Sequence, residues 1–297
     1  MTREGQTLSG QGVLLRHVNL VRLPHTIFAL PFALVGVIIA SYIAPVTATK
    51  VAWVIVAFTA ARFAAMGFNR IVDREIDARN PRTSSREIPS GTMSAREAGI
   101  AVVIASIVFV VAAWKLNPLC LVLSPLALGW VLFYSYTKRF TRWSHIVLGI
   151  GTSIAPVGGY LAITGHWSNP WWLLIALALA VATWVGGFDI LYALQDVSFD
   201  RDNGLYSVPS TFGEANALGI ARVMHLATVA SLAIAGIGAG AGLLYFGGVV
   251  VAGCLLLYEH SLVKVNDFSR LDAAFFRMNG VISIVFLGFV FTERVLR

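Results

Sequence analysis

Two groups of oxygen-bearing side chains stand out by their spacing. The first is Asn69-x-x-x-Asp73-x-x-x-Asp77; the second is Asp189 followed by Asp196-x-x-x-Asp200. The first follows the long apolar run Val51–Phe68, and the second begins near the end of the run Trp171–Tyr192. A helix turns about 100° per residue, so a step of four overshoots a full turn by only about 40°. Asn69, Asp73 and Asp77 therefore form one stripe. Asp189, seven positions before Asp196, joins the stripe of Asp196 and Asp200. Like charges at this spacing repel, and an ionised carboxylate at membrane depth costs about 2.5–3.5 kcal/mol. Several together approach the stability of an ordinary domain, roughly 5–15 kcal/mol. Something must offset that repulsion. Carboxylates plus a neutral amide suit hard cations, and Mg²⁺ takes one or two carboxylates and completes its shell with water and phosphate oxygens. Two facing columns could thus hold metal ions that clamp one diphosphate. The competing reading is two solvated helix ends whose acids pair with Arg70, Arg74 and Arg201.

The neighbouring bases fit the same chemistry. Lys138 follows Tyr134 by four residues, so ring and ammonium can share a helix face, and Arg82 and Arg86 follow the first column. Lys binds phosphate as a point charge and Arg as a fork; each of these bases also fits a simple topological role. The two acidic regions resemble each other further. After Asp77 come Ala-Arg-Asn-Pro and Ile88-Pro89-Ser90-Gly91; after Asp200 come Arg-Asp-Asn-Gly and Val208-Pro209-Ser210-Thr211. Two related helical halves enclosing a site are expected.

The elements that must position these groups are membrane helices. The chain has 297 residues, 57% hydrophobic and 12% charged, against about 25% charged in a soluble domain. Apolar runs near the length of about 20 residues needed to cross a bilayer recur throughout. The expected spans are Leu23–Tyr42, Val51–Phe68, Ala98–Trp114, Pro118–Tyr136, Ile146–Thr164, Trp171–Tyr192, Ala215–Ile234, Ala241–Tyr258 and Ala274–Phe291. With the N-terminus inside, Lys50 and Lys115 fall in outer connections. Arg70 to Arg96, then Lys138, Arg139 and Arg142, then Arg201, Lys264 and Arg270 fall in inner ones. The expected fold is all-α, a multi-pass membrane bundle of about nine transmembrane helices with a central cavity open to the cytoplasmic side. Residues 1–20 form a polar cytoplasmic segment without a cleavable signal, and 21–297 a single membrane domain. The net charge of +7 fits membrane orientation rather than nucleic acid. Cys120 and Cys254 lie in apolar runs and read as packing residues. The histidines are scattered, with His25 and His145 read as interfacial or hydrogen-bonding groups.

These motifs resemble the UbiA superfamily of intramembrane prenyltransferases. The match rests on Asn69-x-x-x-Asp73-x-x-x-Asp77 with Arg82, Arg86 and Pro89-Ser90-Gly91, on Asp189-x-x-Tyr192-x-x-x-Asp196-x-x-x-Asp200, and on Tyr134-x-x-x-Lys138. Within the superfamily the chain is most similar to 4-hydroxybenzoate polyprenyltransferases and to the branch of futalosine-derived menaquinone synthesis. Arg22-Leu-Pro-His-Thr-Ile-Phe-Ala-Leu-Pro-Phe-Ala and Gly67-Phe-Asn-Arg-Ile-Val-Asp carry the latter likeness. One departure is Arg70, where many members carry Asp.

The resemblance implies transfer of a polyprenyl group from its diphosphate, in a lipid membrane, to a 4-hydroxybenzoate-type acceptor. A dihydroxynaphthoate-type acceptor is the alternative. Mg²⁺ would be held by Asn69, Asp73, Asp77, Asp196 and Asp200. Asp73, Asp196, Lys138 and Asp189 would act in catalysis, with Asp189 assisting the metal or deprotonating the phenol. Arg82, Arg86, Tyr134 and Tyr192 would bind substrate, and Arg142 or Arg22 the acceptor carboxylate. An ion-coupled transporter and a non-catalytic scaffold are the readings from other classes. Against transport, the acids cluster at helix ends on one side.

Overall fold

The computed structural model describes residues 12–22, 29–263 and 278–297. Polar side chains set where its apolar helices begin. α1 (Val13–Leu20) and α2 (Leu30–Ala40) precede α3 (Ala48–Val72), which starts where the Thr47 hydroxyl accepts the Lys50 amide. A short α4 (Arg74–Arg79) follows. α5 (Ala95–Leu116) starts at Ser94, which accepts the Glu97 amide; α6 (Pro118–Thr137) starts at Asn117, which accepts that of Cys120. Pro118 occupies the first helical position, where no amide hydrogen is required. α7 (Ser144–Thr164) and α8 (Trp172–Ala193) come next. One 3₁₀ turn (Leu194–Asp196) carries α8 into α9 (Val197–Asp202), and α10 (Val208–Phe212) begins in a capping box of Ser207 and Ser210. α11 (Glu214–Gly238), α12 (Leu243–Leu262) and α13 (Asn279–Leu296) complete the chain.

Among the described residues, eight helices are long and apolar enough to cross a membrane: α3, α5, α6, α7, α8 through its continuation to Asp202, α11, α12 and α13. The expected first span, Leu23–Tyr42, contains α2, a shorter apolar helix, while 23–28 lie outside the described residues. Lys264, Arg270 and the start of the expected ninth span, with His25 and the segment before Gly12, also lie outside them. The sixth run differs most from expectation. It continues helically ten residues past Tyr192, which carries the second acidic column out on the same rod.

α8 is the central element. It packs on α7 and α11, and Leu174, Leu177, Ala180 and Val181 are fully buried in the main core with Trp184. The Phe32 ring of α2 lies 4.8 Å from that of Trp184. Between α7 and its neighbours the backbones nearly touch, as small residues permit. A Cβ on Gly159 would lie 2.2 Å from the Ala33 carbonyl oxygen of α2, and one on Gly149 would lie 2.1 Å from that of Ala182 in α8. Around this spine α6 faces outward: Val122 and Leu126 are 73% and 70% exposed. Apolar groups covering a periphery in this way belong against lipid. The antiparallel packing gathers the C-terminal ends of α3, α6 and α8 with the N-terminal ends of α5, α7 and α11 at one end of the bundle. The connections 73–94, 138–143 and 194–213 meet there.

Candidate active site

The stripe of the first column survives a break in its helix. α3 stops at Val72, yet the Asp77 amide still donates to the Asp73 carbonyl at 2.8 Å, so α4 keeps the helical register. Asn69, Asp73 and Asp77 all line a cavity of about 180 Å³ at the gathered end of the bundle. Asp189, Asp196 and Asp200 line the same cavity from the α8–α9 rod, with Tyr134, Tyr192, Lys138, Arg82 and Arg86 also in its wall.

Each column is tied to cations. Lys138 Nζ lies 2.6 Å from Asp73 Oδ2, and Arg139 Nη2 donates to Asp73 Oδ1 at 3.0 Å. Asn69 Nδ2 also donates to Asp73 at 3.0 Å. Arg86 Nη1 donates to Asp77 Oδ1 at 2.7 Å. Arg82 crosses from the first motif to the second: Nε and Nη2 fork onto the two oxygens of Asp196 at 3.0 and 2.5 Å, and Nη1 donates to the Tyr192 hydroxyl at 3.0 Å. Asn80 supports the crossing, donating to Asp196 Oδ1 at 3.0 Å while its own Oδ1 accepts the Arg82 amide. This is how Asp73, Asp77 and Asp196 are tolerated: each sits against a matched charge with directed hydrogen bonds. Asp200 accepts from the Ser207 hydroxyl at 2.9 Å, and Asp189 contacts His145 Nδ1 at 2.7 Å.

The model of the UbiA prenyltransferase family matches residues 29–281. The chain belongs to that family. It is a prenyltransferase of the membrane. A 4-hydroxybenzoate octaprenyltransferase from Aromatoleum aromaticum is 32% identical over 231 residues, 77% of this chain and 76% of the relative. An apo UbiA homologue from Aeropyrum pernix K1 has the same fold, with TM-score 0.83, 30% identity, and coverage of 91% of this chain and 98% of its own. A UbiA homologue from Archaeoglobus fulgidus, solved with GPP and Mg²⁺, shares the fold at TM-score 0.69 and 20% identity, with 94% and 99% of the chains covered.

Within this UbiA fold, the acids, Tyr134, Tyr192, Lys138, Arg82 and Arg86 converge as the spacing suggests, but two expected groups do not join them. Arg142 is exposed and lies over the Phe212 ring, 5.1 Å from its centroid, outside the cavity wall. α6 ends at Thr137, so no helical turn carries Arg142 back toward Lys138. Arg22, at the end of α1 with a left-handed φ of 45°, is also absent from that wall. Two contributors, Arg139 and Asn80, escape the sequence reading. Arg139 meets Asp73. Asn80 lies in the Asn turn that both halves share, which was its signal. His145 is 3% exposed and takes the hydrogen-bonding one of its two expected roles. Arg70, the departure from the family pattern, is 5% exposed, donates through Nε to the Leu20 carbonyl at 3.3 Å, and reaches within 4.0 Å of Asp77.

The donor set fits a hard divalent cation. Carboxylates of both columns, with the Asn69 amide, line one cavity, and Asp77 Oδ2 is buried without a hydrogen bond. Among the described residues, no three carboxylate, imidazole or thiol groups converge to cage an ion alone. Mg²⁺ needs no such cage when phosphate oxygens and water complete its shell.

Proposed function

We propose that the protein transfers a polyprenyl group from its diphosphate to an aromatic acid of the 4-hydroxybenzoate type, using Mg²⁺. The site would face the cytoplasm of the cell membrane, within a single membrane domain from residue 21 onward. One observation carries this reading: both acidic columns line one cavity, with Arg82 bridging them. The octaprenyltransferase relative supports the acceptor class, and the Archaeoglobus homologue with GPP and Mg²⁺ supports the diphosphate and the metal.

Asn69, Asp73 and Asp77 on one side and Asp196 and Asp200 on the other would hold Mg²⁺. Bound there, it would supply positive charge to the leaving diphosphate. Lys138, Arg82 and Arg86 turn from their carboxylates to the diphosphate oxygens as substrate enters. The charges of a diphosphate and its divalent ions largely cancel, so this exchange leaves the site about as neutral as before. The allylic C–O bond then breaks and its electron pair leaves with the diphosphate, which Lys138 and the two arginines stabilise. The Tyr134 and Tyr192 rings and the apolar helix walls keep water from the allylic cation. The electron-rich acceptor ring forms the new C–C bond, and its displaced proton passes to Asp189.

The test incubates membranes containing the protein with Mg²⁺, prenyl diphosphates of several lengths, and hydroxybenzoate and dihydroxynaphthoate acceptors, and analyses extracted lipid by mass spectrometry. Prenylated hydroxybenzoate is expected. Product only from the naphthoate would move the acceptor assignment, and solute uptake driven by an ion gradient without any product would overturn the enzyme reading.

A further inference from the structure

The mechanism makes use of Asp189 but leaves unexplained the buried imidazole behind it. Three features bring His145 there. It stands four residues before Gly149, on the helix face that meets Ala182, and Asp189 stands seven after Ala182 on α8. A Cβ on Gly186 would lie 3.3 Å from the His145 carbonyl oxygen, so the two backbones are close along this whole stretch. The third feature is α10, whose first residue, Val208, has an amide with no acceptor inside its own helix. That amide donates to His145 Nε2 at 3.2 Å.

The last contact decides where the ring proton sits. An amide N–H can only donate, so Nε2 must carry a lone pair, and the proton of the neutral imidazole is on Nδ1. Nδ1 lies 2.7 Å from Asp189 Oδ2 and therefore donates to it. The other oxygen, Oδ1, accepts no hydrogen bond among the described residues, and the carboxylate lines the cavity with 20% of its side chain exposed against 4% for His145. The same turn reaches the second column. Ser207, next to Val208, caps α10 and donates to Asp200 at 2.9 Å. A continuous hydrogen-bonded strap thus runs from Asp200 through Ser207 and the Val208 amide to His145 and Asp189.

We propose that His145 is a positioning residue, fixed by the Val208 amide as its Nδ1–H tautomer, that holds the Asp189 carboxylate with one free oxygen facing the acceptor. This rests on the prenyl-transfer reading and adds the orienting partner to it. Because Nε2 is occupied by a donor, the imidazole cannot relay a proton into the protein. A proton taken by Asp189 returns to the cavity.

The test uses full-length protein in membranes, with H145Q, H145N, D189N and the double variant H145N/D189N. Glutamine can place an N–H on Asp189 and a carbonyl under the Val208 amide; asparagine carries the same amide but is too short to reach both. H145N is expected to lower kcat for aromatic product by about 10–100-fold, the usual size for losing a partner that orients a functional group. KM for the prenyl diphosphate should stay within about twofold, and H145Q should recover kcat to within about threefold of wild type. H145N/D189N should be no slower than D189N, because both changes remove one unit. Wild-type kcat in H145N, or losses in the two single variants that multiply in the double, would overturn the assignment. Imidazole nitrogen shifts of the wild-type protein, assigned by the signal missing in H145Q, need no folded H145N. They should show Nδ1 protonated, and an Nε2–H tautomer would overturn the proposal. If wild-type protein forms no prenylated aromatic product at all, the underlying enzyme reading fails, and the strap's catalytic role with it.

Discussion

Replacing Asp196 by Asn separates the charge of the Arg82 bridge from its shape. Arg82 is buried, with 8% of its side chain exposed, and Asp196 has 17% exposed. Three donors converge on the carboxylate: Arg82 Nε and Nη2, and Asn80 Nδ2. Asparagine retains one carbonyl oxygen, but its amide nitrogen then faces another donor, and the buried guanidinium loses the two-oxygen anion onto which it forks. Removing one partner of a buried pair costs about 3–5 kcal/mol, and the retained carbonyl puts Asp196→Asn near the lower end. At about 2–4 °C per kcal/mol for a protein of this size, the Tm of the detergent-solubilised protein should fall by roughly 6 °C or more. Adding Arg82→Gln removes the donor–donor clash with the new amide and should restore part of that loss. Activity should behave differently. Asp196→Asn should lower prenyl transfer by about 10²–10³-fold, the scale of losing one charge-stabilising group at a reaction centre, and Arg82→Gln should not rescue it. An unchanged Tm in Asp196→Asn, or a double variant less stable than either single one, would refute the bridge. Wild-type product yield from Asp196→Asn would refute the site.

Asp73→Asn should abolish turnover with a smaller stability loss, because Lys138 and Arg139 have 30% and 32% of their side chains exposed and water can solvate them; activity and melting assays on one membrane preparation check both. A divalent chelator should stop product formation, and added Mg²⁺ should restore it; unchanged yield after chelation would remove the metal from the mechanism. Gly149→Val should prevent recovery of folded protein from membranes, since even its first carbon would lie 2.1 Å from the Ala182 carbonyl oxygen. Gly158→Ala, which meets nothing within 4 Å, is its control.

The acidic columns were legible because a period of four is a local property of helices, and it persisted through the break at Asp73 and the tight turn at Leu194–Asp196. Their convergence on one cavity was also anticipated, from the repeated motifs and from both helices ending on one side. What escaped was partnership over long separations. Arg139 meets Asp73 across 66 residues, Asn80 meets Asp196 across 116, and His145 meets Asp189 across 44. Periodicity tells which face a residue takes, not which neighbour waits there. Arg142 shows the limit of periodicity itself: α6 stops at Thr137, and beyond that point spacing no longer tells which way a side chain faces.

The crossing of Arg82 to Asp196 also has a consequence for how the protein is made. Its two ends are 114 residues apart in the chain. At about 5–20 residues per second, a ribosome takes roughly 6–23 s to bridge that interval. Throughout it, Arg82 has been inserted or held at the bilayer surface without the acid it is built to meet. Nascent chains arrested before α8 emerges therefore lack the contact that ties the first acidic motif to the second.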